Sequence, residues 1–130
     1  MLRILVAIMM LVSGPVSAAQ WVLLGEDDGA KYYAYPAKSR PAEHMVTLLV
    51  LLDHKSVKVE RGRPYLSTKA REEFDCKGAR WRILSYSLHD GPMGEGNPIY
   101  ISPVSPARDW EPVSPDSMTK ALWNFACTKR

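Results

Sequence analysis

The stretch Tyr65-Leu66-Ser67-Thr68-Lys69-Ala70-Arg71-Glu72-Glu73-Phe74-Asp75-Cys76 decides the fold. Leu66, Ala70, Phe74 and Cys76 share one parity, with Thr68 and Glu72 among them. Ser67, Lys69, Arg71, Glu73 and Asp75 share the other. A period of two sends the two sets to opposite faces of a β-strand. The first set is the more apolar, so a covering element is expected over it, and Cys76 points toward that element.

On the N-terminal side, Met45 to Asp53 is the most hydrophobic piece outside the leader. Its apolar residues do not alternate with polar ones, which predicts a central strand covered on both faces. Lys55 to Arg63 is charged and carries Gly62 before Pro64, and is expected to be a solvated loop. Further upstream, Trp21 to Gly25 and Lys31 to Tyr35 flank an Asp28-Gly29 turn and predict a hairpin. Pro36 ends it, and Ala37 to Glu43 reads as a polar connection. On the C-terminal side, Lys77-Gly78 is a turn and Arg80 to Leu88 another strand. Gly91-Pro92-Met93-Gly94-Glu95-Gly96 must be a loop. The prolines between Pro98 and Pro115 leave room for no more than a short edge strand, Ile99 to Ser102.

The tail changes character. Ser114-Pro115-Asp116 reads as an N-cap, a proline at the first helical position and an acid in the first turn. Met118, Ala121, Leu122 and Phe125 then share one helical face. Cys127 is off that face; it acts from the last turn, or the helix is placed less simply. The fold expected is α+β, an antiparallel sheet with one C-terminal helix packed on it.

The other end reads as a leader. Arg3 precedes an apolar run from Ile4 to Val12, Ser13-Gly14-Pro15 breaks the run, and Val16-Ser17-Ala18-Ala19 supplies small residues. This is the order of a secretory signal peptide over residues 1–19, cleaved after Ala18 or Ala19, followed by one domain over 20–130. The run is too short to span a bilayer as a helix. No cysteine follows it, so a lipoprotein anchor is not expected and the chain is placed in the periplasm or at the cell surface. In an exported chain two cysteines permit one internal disulfide, Cys76–Cys127, tying helix to sheet. The whole chain has 17 basic and 14 acidic side chains, and losing Arg3 leaves a net charge of +2. That is too small to steer binding to nucleic acid. Nothing after the leader approaches transmembrane length.

Several pieces together resemble the surface-adhesin protein E family of exported bacterial proteins. They are Trp21-Val22-Leu23-Leu24-Gly25, the Tyr32-Tyr33 strand, the apolar strand ending Leu52-Asp53, and Glu73-Phe74-Asp75-Cys76-Lys77. Arg80, Arg82-Ile83-Leu84, Gly91-Pro92-Met93-Gly94, Trp110-Glu111-Pro112-Val113-Ser114-Pro115 and Cys127 continue the pattern. The resemblance implies a curved antiparallel sheet tied to a C-terminal helix by a disulfide. It also implies a non-catalytic binding protein with host extracellular-matrix or serum proteins as partners. No cofactor is expected.

The remaining chemistry is sparse. Lys55, Lys58, Arg61 and Arg63 form a basic segment with Glu60 inside it, suited to an acidic ligand such as a sulfated glycan or an acidic protein patch. Trp110, in a proline-rich stretch, is the tryptophan most expected to be exposed for binding. His54 and His89 each adjoin an aspartate at a predicted strand end, where histidines are ordinarily surface residues. A metal or haem site would need two of the histidines to converge. That is the alternative reading, a soluble periplasmic protein holding a small ligand, metal or haem. No nucleophile elbow occurs, and Glu72 and Glu73 fall on opposite strand faces, so an enzyme is not expected. An unpaired sheet edge would also let two copies pair.

Overall fold

The alternation across residues 65–76 does build a strand, β5 (Arg63–Asp75), with its two parities on opposite sides of an antiparallel sheet. The computed structural model describes residues 20–103 and 109–128. The stretch read as a leader, residues 1–19, lies outside the described residues. The other strands are β1 (Val22–Glu26), β2 (Ala30–Ala34), β3 (Ser39–Ala42), β4 (Met45–Glu60), β6 (Arg80–His89), β7 (Pro98–Ile101) and β8 (Glu111–Pro112). Helix α1 spans Met118–Cys127. The sheet order is β1-β2-β4-β5-β6-β7, with β3 also on β4 and β8 also on β6. Along their outer edges β4 and β6 therefore each carry a pair of short strands, and β5 lies between them.

The α+β expectation holds, with four corrections to its parts. The stretch from Pro98 to Pro115 carries two short strands, β7 and β8, both paired to β6, and not one. Lys55 to Glu60 is not a loop: β4 runs through it, and Arg61-Gly62 alone form the turn to β5. Both turn residues have positive φ, 50° and 77°, the geometry that matches the twist of a two-residue hairpin. The pairing shifts between Asp53 and Lys58, so β4 carries a bulge where this terminal arm leaves the body of the sheet. Ala37 to Glu43 is also more than a connection, because β3 pairs there with the start of β4. Finally, α1 starts later than Ser114. Pro115 and Asp116 form a turn, and Ser117 is the N-cap, its Oγ accepting the Lys120 amide at 3.2 Å.

The helix covers the side of the sheet that carries Val46, Leu48 and Val50 on β4 and Phe74 on β5, all fully buried. Its buried positions are Leu122 and Ala126, one turn apart. The face that packs is rotated from the expected one toward Trp123 and Cys127, so Cys127 reaches Cys76 from a regular last turn. The disulfide joins them with Cα atoms 5.5 Å apart, and Trp123 Nε1 donates to the Asp75 carbonyl beside it at 2.9 Å. Lys38 Nζ donates to the Phe125 carbonyl at 2.5 Å and to the Thr128 carbonyl at 3.3 Å, satisfying carbonyls that the helix end leaves open.

The second face is covered by the glycine-rich loop. Ser67 Oγ accepts the Gly94 amide at 2.8 Å and donates to the Gly91 carbonyl at 2.7 Å, and Asp53 Oδ1 accepts the Met93 amide at 3.0 Å. The more polar parity of β5 is thus buried too in part, by hydrogen bonds instead of apolar contact. Gly94 has φ +71° and lies against Lys69 and Leu51, whose Cδ1 is 3.3 Å from where a Cβ would stand. Gly94→Ala should therefore cost about 1–2 kcal/mol in chemical denaturation from the left-handed backbone alone. An unchanged midpoint would mean that the loop is not held in this conformation.

Candidate functional site

On the helix side, the sheet beyond α1 is left with a groove of about 350 Å³. Its floor comes from alternate residues of β5 and β6, including Ala70, Glu72, Trp81 and Ile83. Tyr32 of β2, Leu52 of β4 and Thr119 and Leu122 of the helix wall it. This size falls in the range of small-molecule sites. The lining is apolar and aromatic apart from Thr68, Thr119 and Glu72, and Glu72 is only 5% exposed. Glu72 Oε2 has no hydrogen-bond partner among the described residues. Burial disfavours the carboxylate form and pushes the Glu72 carboxyl up to about 8. The Tyr32 phenol is pushed up to about 12, first by burial and then by its hydrogen bond to Asp27 Oδ2. The only sign of Glu72 in the sequence is its place as an acid in the apolar parity of β5.

The basic segment becomes the arm formed by the end of β4 and the start of β5. It does not present four equivalent charges. Lys55 pairs with Glu26 at 3.4 Å, and Arg63 Nη1 donates to the Ile99 carbonyl at 3.4 Å. Arg61 lies over the Tyr100 ring, 5.7 Å from its centroid. Lys58, Arg61 and Arg63 are exposed. So are Val57 and Val59, at 60% and 64%, and on the edge strand Ile101, at 68%. The arm is an apolar surface interleaved with positive charge.

The histidines do not converge. Asp53, Ser67 and His89 are cross-strand neighbours on the loop-covered face. His54 Nε2 meets Thr68 Oγ1 at 2.8 Å on the helix-bearing face. Neither is an ordinary surface histidine: His89 is buried against Ser87 Oγ at 2.8 Å, and His54 is half-buried edge-on to Tyr65. Burial lowers both imidazoles, with Lys58 adding to the effect at His54 and Lys69 at His89. Among the described residues no group of three or more His, Cys, Asp or Glu is placed to hold a metal ion.

Trp110 is also not the free ring expected. It is half-buried, with the Arg80 and Arg82 guanidinium carbons 4.5 and 4.2 Å from its centroid. Those arginines are held in turn by Asp75 at 2.8 Å and Glu73 at 2.7 Å. The spacing of Arg80 and Arg82 on one strand face carries this signal in the sequence.

An open antiparallel sheet with a helix stapled across one face, a groove beside the helix and a projecting arm defines a disulfide-tied α+β domain. The chain belongs to the surface-adhesin protein E family, whose model matches residues 21–128. The fold is that of Haemophilus influenzae protein E. One structure of it superposes with a TM-score of 0.58 at 13% identity, covering 86% of each chain. A second crystal form gives 0.56 at 12% identity, over 80% of this chain and 91% of that one. Protein E from non-typeable Haemophilus influenzae gives 0.56 at 13% identity, over 88% and 78%. No curated protein matches the chain by sequence. Among the described residues no helix is long and apolar enough to cross a membrane.

Proposed function

We propose that this chain is an exported, non-catalytic adhesin that binds host extracellular-matrix or serum proteins through its basic arm. The observation that carries this reading is the exposed end of the β4–β5 hairpin, where Val57 and Val59 alternate with Lys58 and lead to Arg61 and Arg63. Exposed β-branched residues give contact area, and the charges select an acidic patch or a sulfated glycan. The family membership supports the adhesin class.

Binding to a panel of immobilised matrix and serum proteins tests the reading. Lys58→Glu combined with Arg61→Glu should weaken capture about tenfold or more, and wild-type capture should fall as salt rises. Both side chains are exposed, so the melting temperature should hold. Capture that survives the double substitution would remove the arm from the contact. Failure of wild type against the whole panel would end the adhesin reading. Export requires removal of the leader after Ala18 or Ala19, which the intact mass of protein recovered from producing cells reads directly. Protease shaving of intact against permeabilised cells separates a surface position from a periplasmic one.

A further inference from the structure

We propose that the groove beside α1 is a binding site for a small amphipathic amine, an aromatic or alkyl body carrying one ammonium group, with Glu72 as its counter-ion. The groove meets the basic arm only at Tyr65, which pairs with Lys58 beyond the bulge in β4, and none of the arm's basic residues lines it. Its chemistry is mismatched. A carboxyl group that is almost wholly buried, with one oxygen lacking a partner, is costly to place in an apolar surface. Leu or Gln would fill that position at lower cost. Yet the acid sits at the floor of a cavity of small-molecule size.

The lining decides the sign of the ligand. Among the described lining residues Glu72 is the one carboxyl, and none is a Lys, Arg or His that could neutralise it. Tyr32, Tyr65, Tyr86 and Trp81 bring aromatic rings to the same walls. Aromatic rings accommodate both an apolar body and a cation. An anion would meet no positive partner among the described lining residues, and a purely apolar molecule would leave the Glu72 carboxyl without a counter-ion. An amine satisfies both the walls and the floor.

The pairing has a definite proton balance. The ligand arrives as R–NH3⁺, and the Glu72 carboxyl, largely protonated at pH 7, gives its proton to solvent as the ion pair forms. Nothing else is exchanged.

Phenethylamine and its neutral isostere 2-phenylethanol are the probes, measured by calorimetry on the purified protein in buffers of different ionisation enthalpy. The amine should bind more tightly than the alcohol and release on the order of one proton per molecule at pH 7. Glu72→Gln should weaken amine binding about 10- to 100-fold and abolish proton release, while leaving the alcohol within about twofold. Amide NMR shifts caused by the amine should centre on Tyr32, Glu72, Trp81 and Thr119. Equal affinity for the two probes, binding without proton release, or no binding by either would overturn the proposal. Proton release is read on wild type alone, so the test stands even if the glutamine variant folds poorly.

Discussion

Between pH 4 and pH 9 the stability gap between wild type and Glu72→Gln should move by about 5 kcal/mol in favour of the variant. The cause is the carboxyl at the floor of the groove, which burial moves from 4.5 to about 8. For an acid whose folded pKa is raised, the folded state holds its proton longer than the unfolded chain does. The stability contribution is then fully present below about 4.5 and is lost as pH rises to about 8. Each tenfold difference in proton affinity between folded and unfolded chain is worth about 1.4 kcal/mol, which sets the magnitude. Tyr32 faces the same groove but titrates only near 12, above this window. His54 and His89 act with the opposite sign: their lowered pKa values give stability that is lost as pH falls. Both histidines are present in both proteins and cancel in the difference. Denaturant titrations of the pair at several pH values give the result, and parallel pH profiles would show that Glu72 is already solvated or paired.

Cys76→Ala should cost about 4 kcal/mol. The bond closes a loop of sequence separation 51, and a loop of that length restricts the unfolded chain by this amount. The loss should appear as a lower denaturation midpoint, with Cys127 newly reactive to a thiol reagent. Reducing the wild-type protein should reproduce it. A variant as stable as wild type would mean that the contacts of Leu122 and Ala126 hold the helix without the bond.

The strand alternation in residues 65–76 makes the sheet and the side of its covering helix legible, because a period of two depends only on local geometry. The cysteine pairing is legible for a similar reason: two cysteines leave one choice. The end of β4 is masked by its charges, which suggest a loop although the alternation beneath them does not. Val57 and Val59 against Lys58 and Glu60 follow the same period that identifies β5. Both Ser114 and Ser117 are good caps by type; in the folded chain the Ser117 hydroxyl accepts the Lys120 amide and donates to the Ser114 carbonyl, which puts the helix start at Ser117. Glu72 stands in plain view as an acid in an apolar row. Its burial depends on Trp81, Tyr32 and Leu122, which come from three other elements and meet only in the folded chain. The same long-range assembly buries Ser67 under Gly94 and sets Trp110 across Arg80 and Arg82.

The Lys38 bond to the end of α1 joins the first strands to the last helix, together with the close approach of Met118 Cε to the Cβ position of Gly25. A polypeptide emerging N-terminus first from a narrow channel would carry β1 and β2 into open space long before the segment that covers them. Until residue 127 arrives, the apolar side of the sheet has no lid and its cysteine no mate. Such a topology ties maturation to complete delivery, and a product truncated by even one helical turn would stay an open, oxidisable thiol instead of a closed domain.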